Sequence, residues 1–170
     1  MSNKPLVMAV AACALMLCGG VACSFAIIQG YRLYQANLQA QERELICLEG
    51  REQSRASWLA ASAPLTDLHT HSQLQLDEHR AALERATLIR DQESIERYEG
   101  LIMTTDNLLT SLRIATETVD SMQTALLTLP VDELLQQNKL VNGMSWEPEI
   151  AAIFSEPIQL TMTLQERCVG

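Results

Sequence analysis

The chain has 170 residues and a formal net charge of −9, with 21 acidic residues against 12 lysines and arginines. Every acidic residue lies after residue 30, and the arginines there stand singly rather than in a stripe. Such a surface repels phosphates, which excludes nucleic acid as a partner, and the roughly 140 residues concerned make one modest domain or a long rod, not two full domains.

Residues 1–5 form a short start that contains Lys4, and residues 6–29, LVMAVAACALMLCGGVACSFAIIQ, are a long charge-free apolar run. A helix of that length crosses a hydrocarbon core of about 30 Å at about 1.5 Å per residue. The run is therefore expected to be a transmembrane helix with residues 1–5 as a cytoplasmic tail. Two other readings fit less well. A cleaved secretory signal has a shorter apolar region, of roughly 7–15 residues. A lipoprotein site at Gly20-Val21-Ala22-Cys23 has Gly20 where a large aliphatic residue belongs, and the chain stays apolar through Ile28. Lys4 stands on one side of the run and Arg32 and Arg43 on the other, close to a draw under the positive-inside rule. The short amino-terminal tail tips the expectation to a single-pass bacterial inner-membrane protein. The bilayer is then one partner, and residues 30–170 lie in the periplasm.

Residues 30–63 read as a juxtamembrane helix. Tyr31, Tyr34, Leu38, Leu45, Leu48 and Leu59 fall near a 3–4 spacing, interrupted by Gln41, Glu52 and Arg55. Tyr31, Arg32 and Tyr34 also suit a membrane interface. Ala60-Ala61-Ser62-Ala63-Pro64 breaks the pattern, and Thr66 with Asp67 offers a fresh helix start.

Residues 66–129 contain no proline and a single glycine, Gly100, and read as a coiled-coil region. Tyr98, Leu101, Thr105, Leu108, Leu112, Ala115, Val119, Met122, Leu126 and Leu129 alternate by fours and threes, the signature of a helix-pairing seam. Leu68, Leu76, Leu83 and Ala86 form a weaker upstream stripe. Gly100 marks either a hinge in one long helix or the parting of two antiparallel helices, and both readings stand. The seam residues Tyr98, Leu101, Leu108, Leu112, Val119, Met122 and Leu126 are the candidate partner-binding positions, in a homo- or hetero-oligomer.

Pro130 ends this region, and residues 130–170 are expected to form a small α/β element. Val131 to Val141 reads as an amphipathic helix closed by Asn142-Gly143. Ile158, Leu160, Met162 and Leu164 alternate with polar neighbours, which predicts a half-buried strand. Met144-Ser145-Trp146-Glu147 is a candidate partner strand. The predicted fold class is mostly α, with one amino-terminal transmembrane helix, long coiled-coil helices and one or two carboxy-terminal strands.

Of the five cysteines, Cys13, Cys18 and Cys23 lie in the apolar run and Cys47 and Cys168 outside it. Cys47 and Cys168 could pair in an oxidising compartment if the tail folds back beside the helix after residue 30; unpaired or intermolecular thiols are the alternative. Asp67, His69, His71, Asp77, Glu78 and His79 contain metal-ligand chemistry. On a helix, however, His69 and His71 face different ways, and the favoured reading is a solvated helix start with no metal and no cofactor. Ser145 and Ser155 flank no histidine, and no phosphate-binding loop is present. No catalytic residue is assigned, and the chain reads as a non-enzyme.

The layout resembles the PilO-like and GspM-like inner-membrane alignment proteins of type IV pilus and type II secretion systems. The local likeness begins at Leu129-Pro130, passes Glu133-Leu134-Leu135 and Asn142-Gly143-Met144, and closes with Phe154 and Pro157-Ile158-Gln159-Leu160-Thr161-Met162. It covers about 40 residues, and the chain stops at Gly170 where those proteins continue into another helix and strand. The resemblance implies a scaffold that pairs with a similar bitopic partner through its periplasmic coiled coil. Two rivals are carried beside it. One is a phage inner-membrane spanin acting in lysis, and the other is a membrane-anchored sensor with a metal site at His69, His71 and His79.

Overall fold

A computed structural model of the chain describes the backbone of residues 4–169 and the side chains of residues 29–168. Its elements are α1 (Lys4–Ala60), α2 (Ser62–Ile89), α3 (Gln92–Thr128), α4 (Val131–Asn142), α5 (Pro148–Met162) and α6 (Leu164–Val169). The chain divides into two compact units, residues 1–45 and residues 46–170. The first is the amino-terminal part of α1. The second contains the rest of α1 and all the other helices.

The mostly helical expectation holds, but the carboxy-terminal strands do not: among the described residues every element is a helix. Residues 158–164, expected as a strand, are the end of α5, the joint at Thr163 and the start of α6. The core-facing residues of α5 are Ile150, Phe154, Pro157, Ile158 and Thr161, which recur at the period of a helix. Within that period Leu160 is only half-buried and Met162 is exposed, so the alternation Ile158–Leu160–Met162–Leu164 does not describe one face. Met144 to Glu147 is the connection between α4 and α5, not a strand.

A second correction concerns the membrane. Among the described residues no helix is long and apolar enough to cross one, which overturns the single-pass inner-membrane placement. The side chains of the run 6–29 on which that placement rested lie outside the described residues, apart from Gln29.

The region 66–129 is a hairpin. Its turn is at Arg90–Asp91 and not at Gly100, which sits inside α3 with nothing near the place of a Cβ. Arg90 ends α2 in the left-handed region (φ 54°, ψ 39°), and Arg90 and Asp91 N–H return to the carbonyls of Thr87 and Ala86. Asp91 then starts α3, its carboxylate accepting from the Ser94 N–H at 3.4 Å and the Ser94 hydroxyl at 2.6 Å. Those hydrogen bonds, the Ser94 hydroxyl first, hold the Asp91 carboxyl below its ordinary value.

Between α1 and α2 the backbone barely departs from a helix. Ala61 keeps right-handed angles, and Pro64 falls in the first turn of α2, where a proline is tolerated. The short helix expected over 131–141 is α4, with Pro130 before it, Asp132 and Glu133 in its first turn and Gly143 after it.

The core gathers Trp58 from α1, Leu65 from α2, Leu112, Val119 and Met122 from α3, Leu134 from α4, Phe154 from α5 and Leu164 from α6. Phe154 stands between two indoles, at 5.2 Å from Trp58 and at 5.0 Å edge-on from Trp146. Beside it lies a buried polar knot. Trp58 Nε1–H donates to Thr161 Oγ1 at 3.0 Å, and the Thr161 hydroxyl donates to the Pro157 carbonyl at 2.8 Å. The 2.6 Å contact between Thr161 and Ser54 must then have Ser54 as donor. Each lone pair and proton of that threonine is used.

Candidate helix-pairing surface

Two apolar stripes were visible in the sequence, and the structure treats them oppositely. The α3 stripe is consumed inside the chain. Leu112, Val119, Met122 and Leu126 are buried, and Tyr98, Leu101 and Leu108 are half-buried. What covers the stripe includes α2, whose buried residues Leu65, Ser72, Leu76 and Ala86 run antiparallel to it, together with the core residues of α4 and α5. A partner helix could not reach Leu112, which is 0% exposed, without opening this unit.

The α1 stripe has the reverse status. Tyr31 and Tyr34 are each 61% exposed, Leu38 is 46% and Leu45 is 66% exposed. All four fall in the first unit. In the heptad register that spaces them by threes and fours, the next positions are Gln41 and, in sequence, Leu48. The flanking positions hold Gln35, Asn37, Glu42 and Glu44, all exposed, and Arg32 and Arg43 stand outside the flanks. A hydrogen bond from Gln35 Nε2 to the Tyr31 hydroxyl at 2.8 Å ties the first turn of the stripe. An exposed apolar stripe of this kind, rimmed by polar groups, is what association sites look like.

Further along α1, in the second unit, a different face is in use. Gly50, Ser54 and Trp58 are buried and Cys47 is half-buried. A Cβ on Gly50 would meet Leu164 Cδ2 at 2.9 Å and Arg167 Cδ at 3.0 Å, so the glycine lets α6 close on α1. Cys47 and Cys168 are joined there as a disulfide, with Cα atoms 4.7 Å apart and 121 positions of sequence between their numbers. Arg167 donates to Gln53 Oε1 at 3.0 Å beside it. Arg51 reaches the other way, and its two Nη groups donate to the Leu126 and Leu129 carbonyls at 3.0 Å each, capping the end of α3.

This clasp was the part sequence reasoning missed, apart from its two cysteines. Apart from Trp58 its α1 face is built from small and polar residues, so hydropathy carries little trace of it. The readable signal was spacing: Cys47, Gly50, Ser54 and Trp58 recur by threes and fours.

The remaining candidates come apart. The strand-pairing positions Ile158 and Leu164 are buried in the helical core, while Leu160 and Met162 are not. His69 and His71 are exposed on α2 and His79 is half-buried, its ring 6.5 Å from that of Tyr98. Among the described residues no group of three or more histidines, cysteines and carboxylates could hold a metal ion. A groove at Thr66, His69, Leu109, Arg113 and Asp120 gathers polar groups at the surface without burying them. No protein-family model, no curated protein and no solved structure matches the chain, so no enzyme family is found for it. The structure itself is that of a helical protein whose long helices are compatible with coiled-coil pairing.

Proposed function

We propose that the chain is an assembly module that works by pairing helices. The unit 46–170 is the folded body, and the α1 segment 31–45 is the part offered to a partner. What carries the reading is the contrast between two stripes of similar spacing. One is spent on the chain's own core, and the other exposes four large side chains to water. In water such a stripe gains by burial against another helix, at about 25 cal/mol per Å² of apolar surface. A finer version places the partner in a pilus or secretion machine. What supports it is the local likeness to the alignment proteins, weakened because residues 157–162 are helical where that family has a strand and because no helix among the described residues is long and apolar enough to cross a membrane.

The test is in-cell photocrosslinking of the full chain, with the reactive side chain placed at Leu38 or Leu45 and, as an internal reference, at Leu112. Intermolecular products are expected from the first two and none from the third, with the captured peptide mapping to a helical segment. Intermolecular products from Leu112 alone would sink the assignment of the surface. Their absence at all three positions would sink the assembly function.

A further inference from the structure

The charges beside the exposed stripe say what can cover it. In a paired helix the residues flanking the apolar seam lie against the flanks of the other strand, and their signs select the partner. Here the flanks over 31–45 are Gln35, Asn37, Glu42 and Glu44, and Glu49 is the next flanking position in sequence. None is basic. The two arginines of the segment, Arg32 and Arg43, fall at register positions away from the seam, where they cannot offset a second set of glutamates.

We infer that the stripe Tyr31, Tyr34, Leu38 and Leu45 takes an amphipathic helix of another protein, whose apolar seam is flanked by lysine and arginine, and not a second copy of this chain. The inference rests on the assembly reading above and names its partner's chemistry. Two copies pairing in parallel would set Glu44 of one strand against Glu49 of the other in this register, a like-charge contact repeated on both sides of the dimer. A basic-flanked helix converts the same positions into attractive pairs. Gln41 adds to the selection. It interrupts the apolar seam between Leu38 and Leu45, so the preferred partner places a polar side chain opposite it and the register is thereby set. The rest of the chain argues the same way, because its net charge of −9 repels a second copy at long range and attracts a basic helix.

The experiment uses the full chain in mild detergent and three labelled synthetic helices of about three heptads each. All carry the same leucine seam with one polar core position. Their flanks are lysine, glutamate or the native residues of 29–48, and binding is read by fluorescence anisotropy. Self-association of the chain is measured separately by sedimentation equilibrium. The lysine-flanked helix is expected to bind at least about tenfold more tightly than the glutamate-flanked one at about 0.05 M salt, and to lose most of that margin at about 0.5 M. Leu38→Glu and Leu45→Glu are expected to abolish the binding with the helical signal unchanged, since both side chains are exposed. Equal binding of the lysine and glutamate helices overturns the inference. So does self-association stronger than binding of the lysine helix, which makes the second copy the occupant and leaves the assembly reading in place. No binding to any helix, with no self-association, overturns the inference and the assembly reading together.

Discussion

Thr161→Val removes one hydroxyl from the buried knot and leaves the side-chain shape almost unchanged. Thr161 is 0% exposed, and its oxygen accepts from Trp58 Nε1 at 3.0 Å and from Ser54 at 2.6 Å. Two of the losses are cheap. The Pro157 carbonyl belongs to the backbone ladder of α5, and Ser54 can turn its proton to a carbonyl one turn back on α1. Trp58 has no such recourse, because its indole N–H is a lone donor on a side chain that is 0% exposed. Leaving a buried donor unpaired costs about 1–3 kcal/mol, so the variant is expected to lose about 2–3 kcal/mol in all. Urea denaturation of the oxidised full chain, followed by tryptophan fluorescence, would show a lower midpoint at an unchanged slope. Adding Trp58→Phe in the valine background removes the orphaned donor. That second step should cost at least about 1 kcal/mol less than it does in the native chain. A valine variant within about 0.5 kcal/mol of the native chain, or a strictly additive cycle, would refute the account of the knot.

Three further expectations concern the clasp and the hairpin turn. Cys168→Ser opens a loop spanning 121 positions, and chain entropy puts the loss at about 4–5 kcal/mol, measured as the difference between oxidised native and variant denaturation curves. A loss below about 1 kcal/mol would mean that packing of Leu164 alone holds α6 in place. Arg90→Gly should raise stability by about 1 kcal/mol, because the left-handed angles at that residue strain any side chain with a Cβ; a lower melting temperature would count against the strain. The capping carboxylate at Asp91 has a depressed pKa, so its contribution is complete above the unfolded value of 3.8 and is lost as pH falls through the lower folded value. Carbon-detected titration should place the Asp91 midpoint below 3.8 in the folded chain, and Asp91→Asn should flatten the acid limb of the stability curve.

Periodicity found the right residues and left their destination open. The stripe from Leu101 to Leu126 reads as a seam because its spacing is a local property of the chain. Whether it pairs with α2 or with another molecule depends on where the chain turns. That turn, Arg90–Asp91, has neither glycine nor proline to mark it, and Asp91 sits among other acids that look like a solvated helix face. Gly100 drew attention instead, although its place in α3 asks nothing of a glycine. The strand expected at 158–164 failed for want of window length. Over so few residues an alternation can pick up Ile158 from the end of one helix and Leu164 from the start of the next, and only Ile150 and Phe154, further back, reveal the helical face. Pro157 reinforced the misreading, since an interior proline costs a helix about 3 kcal/mol and is usually read as a boundary. Here its ring is buried in the core face of α5. The ends of α4 were readable because Pro130 and Asn142-Gly143 act through their own backbone chemistry.

The staple between Cys47 and Cys168 also decides how the molecule answers to tension. A pull applied to α1 upstream of residue 47 and to the chain beyond residue 168 travels through two sulfur atoms and bypasses the helices in between. The 121 positions that it spans could otherwise pay out about 400 Å of extended chain. With the bond intact that length is withheld, and the link behaves as a short stiff tie. Once a thiol reductant cleaves it, the same pull falls on Leu164 in its pocket against Gly50, and the tie becomes a long, compliant tether.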